Sequence, residues 1–252
     1  MPIDRRAFVH YAAAALAAAP LLRSAGAAAK PKIRAVAFDA FPIFDPRPVF
    51  ALCERLFPDR GAELVALWRT RQFEYQWLRA LAGPYADFRQ TTEDALVFAA
   101  ESLKLDLSSD ARAALMQAYL ELPVWPDVPE ALASLGAAGL RLAFLSNATR
   151  KILDACVERS ALGGVFEHVL STDEIRTYKP DPRAYRMAVD AFGLAKQEIL
   201  FVASAGWDAA GAKSFGYPAL WVNRSNLPAE RLGAPPDGVG ATLADLVSFV
   251  AR

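Results

Sequence analysis

Cysteine is scarce in this chain: two in 252 residues, Cys53 and Cys156, far apart and each within a predicted helix. That spacing matches no metal or redox motif and supplies no disulfide framework, so both read as packed thiols. An excess of charge is also lacking, with 28 Lys and Arg against 28 Asp and Glu. Without a basic excess, nucleic acid is excluded as an expected partner. No apolar run is long enough to span a bilayer core of roughly 30 Å, so stable membrane insertion is not expected either. No internal repeat appears. What is present is a globular composition, 54% hydrophobic and 22% charged, with enough chain for a large core and a smaller second domain.

The first segment stands apart. Arg5-Arg6 precede an alanine-rich apolar run from Tyr11 to Leu22, followed by Arg23 and the small-residue tract Ser24 to Ala29. A basic start, a short apolar centre and an A-x-A tail predict a twin-arginine-type signal over residues 1–29, and with it a periplasmic protein. Its removal leaves 25 basic against 27 acidic residues, a net charge of −2.

The next stretch organises the chain. Ile33-Arg34-Ala35-Val36-Ala37-Phe38 is an apolar run that ends on one carboxylate, Asp39, and a Pro42-broken turn. Such a run fits a strand buried on both faces, and parallel sheets place their chemistry just past such strand ends. Helical periodicity then predicts four helices: Val49 to Phe57, Ala62 to Leu81, one opened by Thr92 with Glu93 and Asp94, and one opened by Ser109-Asp110. The proline-rich Leu122 to Pro129 closes this segment. Strands and helices alternate beyond it, with strands over Leu140–Leu145, His168–Ser171, Ile199–Val202 and Ala219–Val222. Helices are predicted over Val128–Ala138, Arg150–Ser160, Pro182–Phe192, Trp207–Phe215 and Leu243–Val250. The expected fold is α/β: a Rossmann-like parallel sheet with helices on both faces and an inserted four-helix cap domain. The expected boundaries are 30–44 and 123–252 for the core and 45–122 for the cap.

Small or polar residues end each predicted strand: Asp39, Ser146-Asn147, Ser171-Thr172-Asp173, Ser204 and Asn223. In a parallel sheet these ends converge on one crevice. Lys179, in Tyr178-Lys179-Pro180-Asp181, and Asp208 complete the set.

That order of carboxylate, hydroxyl, lysine and second carboxylate resembles the haloacid dehalogenase superfamily. The mature chain is similar to its type II (S)-2-haloacid dehalogenases in FDAFPIFD (38–45), LWRTRQFEYQWLR (67–79), TEDAL (92–96), LAFLSNAT (142–149), YKPDPRAY (178–185) and FVASAGWDAAGA (201–212). The resemblance implies metal-independent, cofactor-free hydrolysis of a small 2-haloacid by water. Asp39 displaces halide from C2 with inversion, and water hydrolyses the resulting ester to an (R)-2-hydroxy acid. It makes Asp39 the nucleophile, Arg69 the receiver of halide, Lys179 the partner that keeps Asp39 ionised, and Asp208 a residue that orders the lysine and the hydrolytic water. Ala40, Phe41, Thr70, Phe88, Ser146, Asn147, Tyr185, Ser204 and Trp207 are its implied substrate-binding residues. Ser146 and Asn147 are expected on the substrate carboxylate, and Phe88 and Trp207 in the apolar wall. Relatives are often homodimers, so pairing of two copies is expected as well.

A superfamily phosphatase is the remoter alternative. Mg²⁺ there needs carboxylate oxygens two residues after the nucleophile and on the fourth-strand loop; these places hold Phe41 and Ala203. The chain also departs from the dehalogenases. Its turn after Asp39 is one residue shorter and lacks the family threonine, and Ala203 and Ala205 replace a serine and an asparagine thought to place water. The alternative these departures predict is a dehalogenase-like protein with impaired ester hydrolysis that binds small 2-substituted carboxylates.

Overall fold

Ala35–Phe38 forms strand β1, and all its side chains are fully buried. Alternate side chains point to opposite faces. Val36 and Phe38 pack with Ile43, Phe44 and Phe144, whereas Ala35 and Ala37 leave room on the other face for Tyr185, Phe201 and Tyr217. This two-sided burial is why the run carries no polar alternation.

The computed structural model describes residues 32–251; the signal predicted at residues 1–29 lies outside them. β1 pairs in parallel with β2 (Arg141–Ser146) on one side and β4 (Ile199–Ala203) on the other. β3 (His168–Ser171) lies beyond β2, and β5 (Ala219–Val222) and β6 (Gly238–Gly240) lie beyond β4. Among the described residues the sheet order is therefore β3-β2-β1-β4-β5-β6. Strand order reverses at β1, and the crevice outside its carboxyl end is the topological switch point. Asp39 stands there, its backbone N–H donating to the Val202 carbonyl at 2.9 Å.

Four helices follow: α1 (Arg47–Leu56), α2 (Gly61–Ala82), α3 (Phe88–Ser102) and α4 (Ser109–Ala118). The third begins earlier than its predicted start at Thr92. Asp87 is the true cap, accepting from the Gln90 N–H at 2.7 Å, and Thr92 sits inside the helix with its hydroxyl donating to the Phe88 carbonyl. α2 and α3 are joined by Trp68, whose indole N–H donates to the Thr92 carbonyl at 2.7 Å. The chain enters and leaves this four-helix segment side by side. Phe44 pairs antiparallel with Val124, and the Trp125 N–H donates to the Ile43 carbonyl at 3.1 Å.

α5 (Val128–Ala137), α6 (Arg150–Arg159), α7 (Pro182–Phe192), α8 (Gly206–Phe215) and α9 (Leu243–Val250) cover the sheet and match the predicted helices within a residue or so. β6 is an addition to the prediction, because Gly-Val-Gly carries no strand-like run. Its glycine is required by packing: a Cβ at Gly238 would stand 2.8 Å from Leu220 and 2.9 Å from Phe249. Cys53 and Cys156 are free and buried, as the sequence implies. Among the described residues no helix is long and apolar enough to cross a membrane.

Candidate active site

Lys179 enters the site from the loop ahead of α7, which starts where Asp181 caps it and Pro182 fixes its first turn. The lysine is 1% exposed, yet its Nζ meets two carboxylates, donating to Asp39 Oδ1 at 3.0 Å and Asp208 Oδ2 at 2.5 Å. Burial disfavours the ammonium, but Asp208 and then Asp39 outweigh it and raise the lysine above its ordinary value. Burial pushes Asp208 upward, to about 6, against the pull of Lys179.

Asp39 is held from both oxygens. Oδ2 accepts from Ser204 Oγ at 3.0 Å and from the Phe41 N–H at 3.3 Å, while Oδ1 faces Lys179 and, at 3.5 Å, the Ser146 hydroxyl. Ser204 thus supplies a hydroxyl to the nucleophile in a chain whose short Phe41-Pro42 turn carries none. Its neighbours Ala203 and Ala205 contribute no side-chain oxygen.

A cavity of about 340 Å³ opens over these groups. The strand-end residues Asp39, Ser146, Asn147 and Ser204 line it, with Lys179 from the loop ahead of α7, Asp208 and Trp207 from α8, and Phe41. Phe88 of α3 and the α2 residues Arg69, Gln72, Phe73 and Gln76 complete the wall. Arg69 is exposed, its guanidinium 4.8 Å from the centre of the Phe50 ring, which also lines the cavity. Among the described residues no group of three His, Cys, Asp or Glu side chains converges as a metal ligand set.

Three predicted substrate contacts lie outside the lining, and a fourth lines the cavity with its side chain partly engaged. Thr70 is exposed on α2 outside the lining, its hydroxyl donating to the Ala66 carbonyl at 3.0 Å, because one helical step from Arg69 rotates it away from the cavity. Ala40 is buried outside the lining, its carbonyl accepting the turn N–H groups of Ile43 and Phe44. Tyr185 lies beneath the cavity rather than in its wall, and its hydroxyl donates to Asp208 Oδ1 at 2.7 Å. Asn147 does line the cavity, but its carboxamide is largely engaged within the protein. Oδ1 accepts from the Lys179 N–H at 2.9 Å and the Thr172 hydroxyl at 3.2 Å, and Nδ2 donates to Gln76 Oε1 at 2.8 Å.

Sequence reasoning missed Gln72, Gln76, Arg47, Trp125 and Arg224 of the lining. The two glutamines carried a usable signal, polar residues at i and i+4 within an otherwise apolar helical stripe. Trp125 did not: in the proline-rich exit it reads only as a boundary. Its indole N–H donates to the Phe41 carbonyl at 3.0 Å, and Arg47 and Arg224 stand 4.3 Å and 4.4 Å from its ring centre.

Sheet order, a carboxylate at the switch point and a buried lysine bridging two carboxylates define a class of α/β enzymes that work through an aspartate. The chain belongs to the haloacid dehalogenase-like hydrolases, whose family model matches residues 8–216. It is 45% identical over 218 residues to an (S)-2-haloacid dehalogenase of Pseudomonas sp. strain YL, covering 86% of this chain and 94% of that one. The crystal structure of the L-2-haloacid dehalogenase RSc1362 superposes with a TM-score of 0.86 at 42% identity, over 88% of this chain and all of that one, 100%. An L-2-haloacid dehalogenase from Xanthobacter autotrophicus with chloropropionic acid covalently bound gives 0.79 at 35% identity, over 87% and 98% of the two chains.

Proposed function

We propose that this protein hydrolyses (S)-2-haloalkanoic acids to (R)-2-hydroxy acids through an ester on Asp39. The observation that carries this reading is the state of Asp39: a buried carboxylate, oriented by Lys179 and Ser204, facing a cavity with aromatic walls and arginines at its margin. An oxygen of Asp39 forms a bond to C2 as the C–X pair departs with the halide, in line and with inversion. Phe41, Phe88 and Trp207 give this step an apolar surround, which suits a displacement that disperses charge. Ser146, beside Asp39, and the second Nδ2 hydrogen of Asn147 are the donors nearest the substrate carboxylate's expected place.

Water then adds to the ester carbonyl of Asp39. The oxyanion forms on the oxygen that does not carry the ester, and it is met by the donors that hold that oxygen in the free carboxylate: Ser204 Oγ and the Phe41 N–H on Oδ2, or Lys179 Nζ on Oδ1. Ester cleavage returns the Asp39 carboxylate with the water's oxygen on it, and of the water's two protons one goes to the departing alkoxide to give the hydroxy acid and the other to solvent. Asp208, kept in place by Tyr185, holds the lysine cationic throughout. In this reading the 45–122 segment is a cap that closes over the strand ends.

Incubation with (S)-2-chloropropionate tests the scheme. Sustained chloride release is expected, and Asp39→Asn should abolish it. Release of a single equivalent with a trapped mass adduct would show a protein stalled at the ester, and no chloride with no adduct would overturn haloacid chemistry.

A further inference from the structure

Gln76 occupies a place in the cavity wall to which the scheme above gives no task. It shares one face of α2 with Arg69, Gln72 and Phe73, at spacings of three, four and seven residues, and all four line the cavity. It is 1% exposed. Its amide has one orientation only. The Lys179 backbone N–H and the Thr172 hydroxyl both donate to Asn147 Oδ1, which fixes the oxygen end of that carboxamide. Asn147 Nδ2 must therefore face Gln76 and donate, and it does so to Oε1 at 2.8 Å. The other end of Gln76, Nε2 with its two hydrogens, is buried with no acceptor among the described residues. Buried amide donors nearly always have a partner. One left unpaired on a side chain that lines a catalytic cavity, and locked there by the backbone of the site lysine, is set for an acceptor that arrives with the substrate.

We infer that Gln76 is a catalytic residue of the displacement step, its Nε2 donating to the halogen as the C–X bond breaks. This rests on the function proposed above. Displacement is in line, so halide leaves C2 on the side away from Asp39. Asp39 belongs to the strand ends and Gln76 to the α2 wall. A carbon-bound halogen accepts hydrogen bonds poorly and a departing halide accepts them well, so the contact strengthens toward the transition state and acts on kcat rather than on KM. No proton moves: Asp39 oxygen gains the bond to C2, the halide takes the bonding pair, and Gln76 keeps its hydrogens.

The smaller, harder halide takes the stronger hydrogen bond, which gives a readout that a structural role would not move. In single-turnover halide release by the full chain, Gln76→Met should slow (S)-2-chloropropionate by about tenfold or more. (S)-2-Bromopropionate should be slowed by less, raising the bromo-to-chloro rate ratio about threefold or more relative to the unchanged protein. Equal slowing of both substrates would overturn the inference, since a residue that merely anchors Asn147 affects them alike. Gln76→Glu keeps the acceptor for Asn147 and has no N–H, in a side chain of the same size. It should be at least as slow on the chloro substrate, and recovery of the original rate would also overturn the role. Should the unchanged protein release halide from neither substrate, the proposed function itself falls and takes this role with it; turnover with an unaltered ratio removes Gln76 alone.

Discussion

Two carboxylates share one ammonium in this site, and the tyrosine beneath them tunes the pair. Burial pushes Asp208 up to about 6, Lys179 pulls it down, the charge of Asp39 raises it, and the hydrogen bond from Tyr185 lowers it. Asp208 must be ionised to hold Lys179, so activity should fall as pH drops through this value. Tyr185→Phe removes a group that favours the charged form, so the acid limb of kcat/KM should move to higher pH, by up to about one unit. An acid limb that stays in place would remove Asp208 as the titrating group. The folded value lies above the unfolded Asp value near 3.9. The contribution of Asp208 to stability is therefore fully present below roughly pH 3.9 and lost as pH rises through about 6. Across that window this residue favours activity and stability in opposite directions.

At the scale of elements, α7 and α8 meet where a side chain would not fit. Gly211 stands one turn beyond Asp208 on α8, and a Cβ there would collide with the Tyr185 hydroxyl and lie 3.0 Å from Pro180. The tyrosine reaches Asp208 because this position is glycine. Gly211→Ala should destabilise the fold by about 1–3 kcal/mol, read from denaturant unfolding, and should also slow halide release by displacing Tyr185. Combining it with Tyr185→Phe removes the colliding oxygen, so the double variant should be more stable than additivity predicts. Simple additivity would show that α7 and α8 accommodate the methyl group in some other way.

Across the whole molecule, the four-helix segment is tied to the core at its base. Trp125, on the exit chain, donates to the Phe41 carbonyl two residues after the nucleophile, with its ring between Arg47 and Arg224. Arg224, just past β5, donates to the Pro42 carbonyl at 3.1 Å and to Asp127 at 3.0 Å. The nucleophile turn, the exit chain and the end of β5 are thereby joined. Trp125→Phe keeps an aromatic ring between the guanidinium groups and loses only the indole donor. It should reduce stability by about 1 kcal/mol, lowering the thermal midpoint by roughly 2–4 °C, with a raised KM as the Phe41-Pro42 turn loosens. An unchanged midpoint would show that the guanidinium stack, not the indole hydrogen bond, holds this base.

The amino-acid sequence by itself determined the elements and their order. The apolar run to Asp39, the later alternation of strands and helices, and polar residues at each strand end were enough for a parallel sheet with its crevice above β1 and for Lys179 and Asp208 at that crevice. These are local matters of periodicity, caps and breakers, and they fail only where the signal is weak, as at Asp87 and in the Gly238–Gly240 strand. Tertiary structure alone decided who touches whom. Lys179 reaches Asp39 across 140 residues and Ser204 reaches it across 165. Ser204 was legible as a residue near the substrate, not as the donor that holds the nucleophile. Thr70 turns outward while Gln76 turns inward, because the rotation of α2 about its axis is set by packing of Leu64 and Trp68 into the core. The orientation of the Gln76 amide depends on a backbone N–H about a hundred residues further along the chain, through Asn147. Local propensity cannot encode such a relay; it exists only once the strand ends and α2 face each other across the cavity.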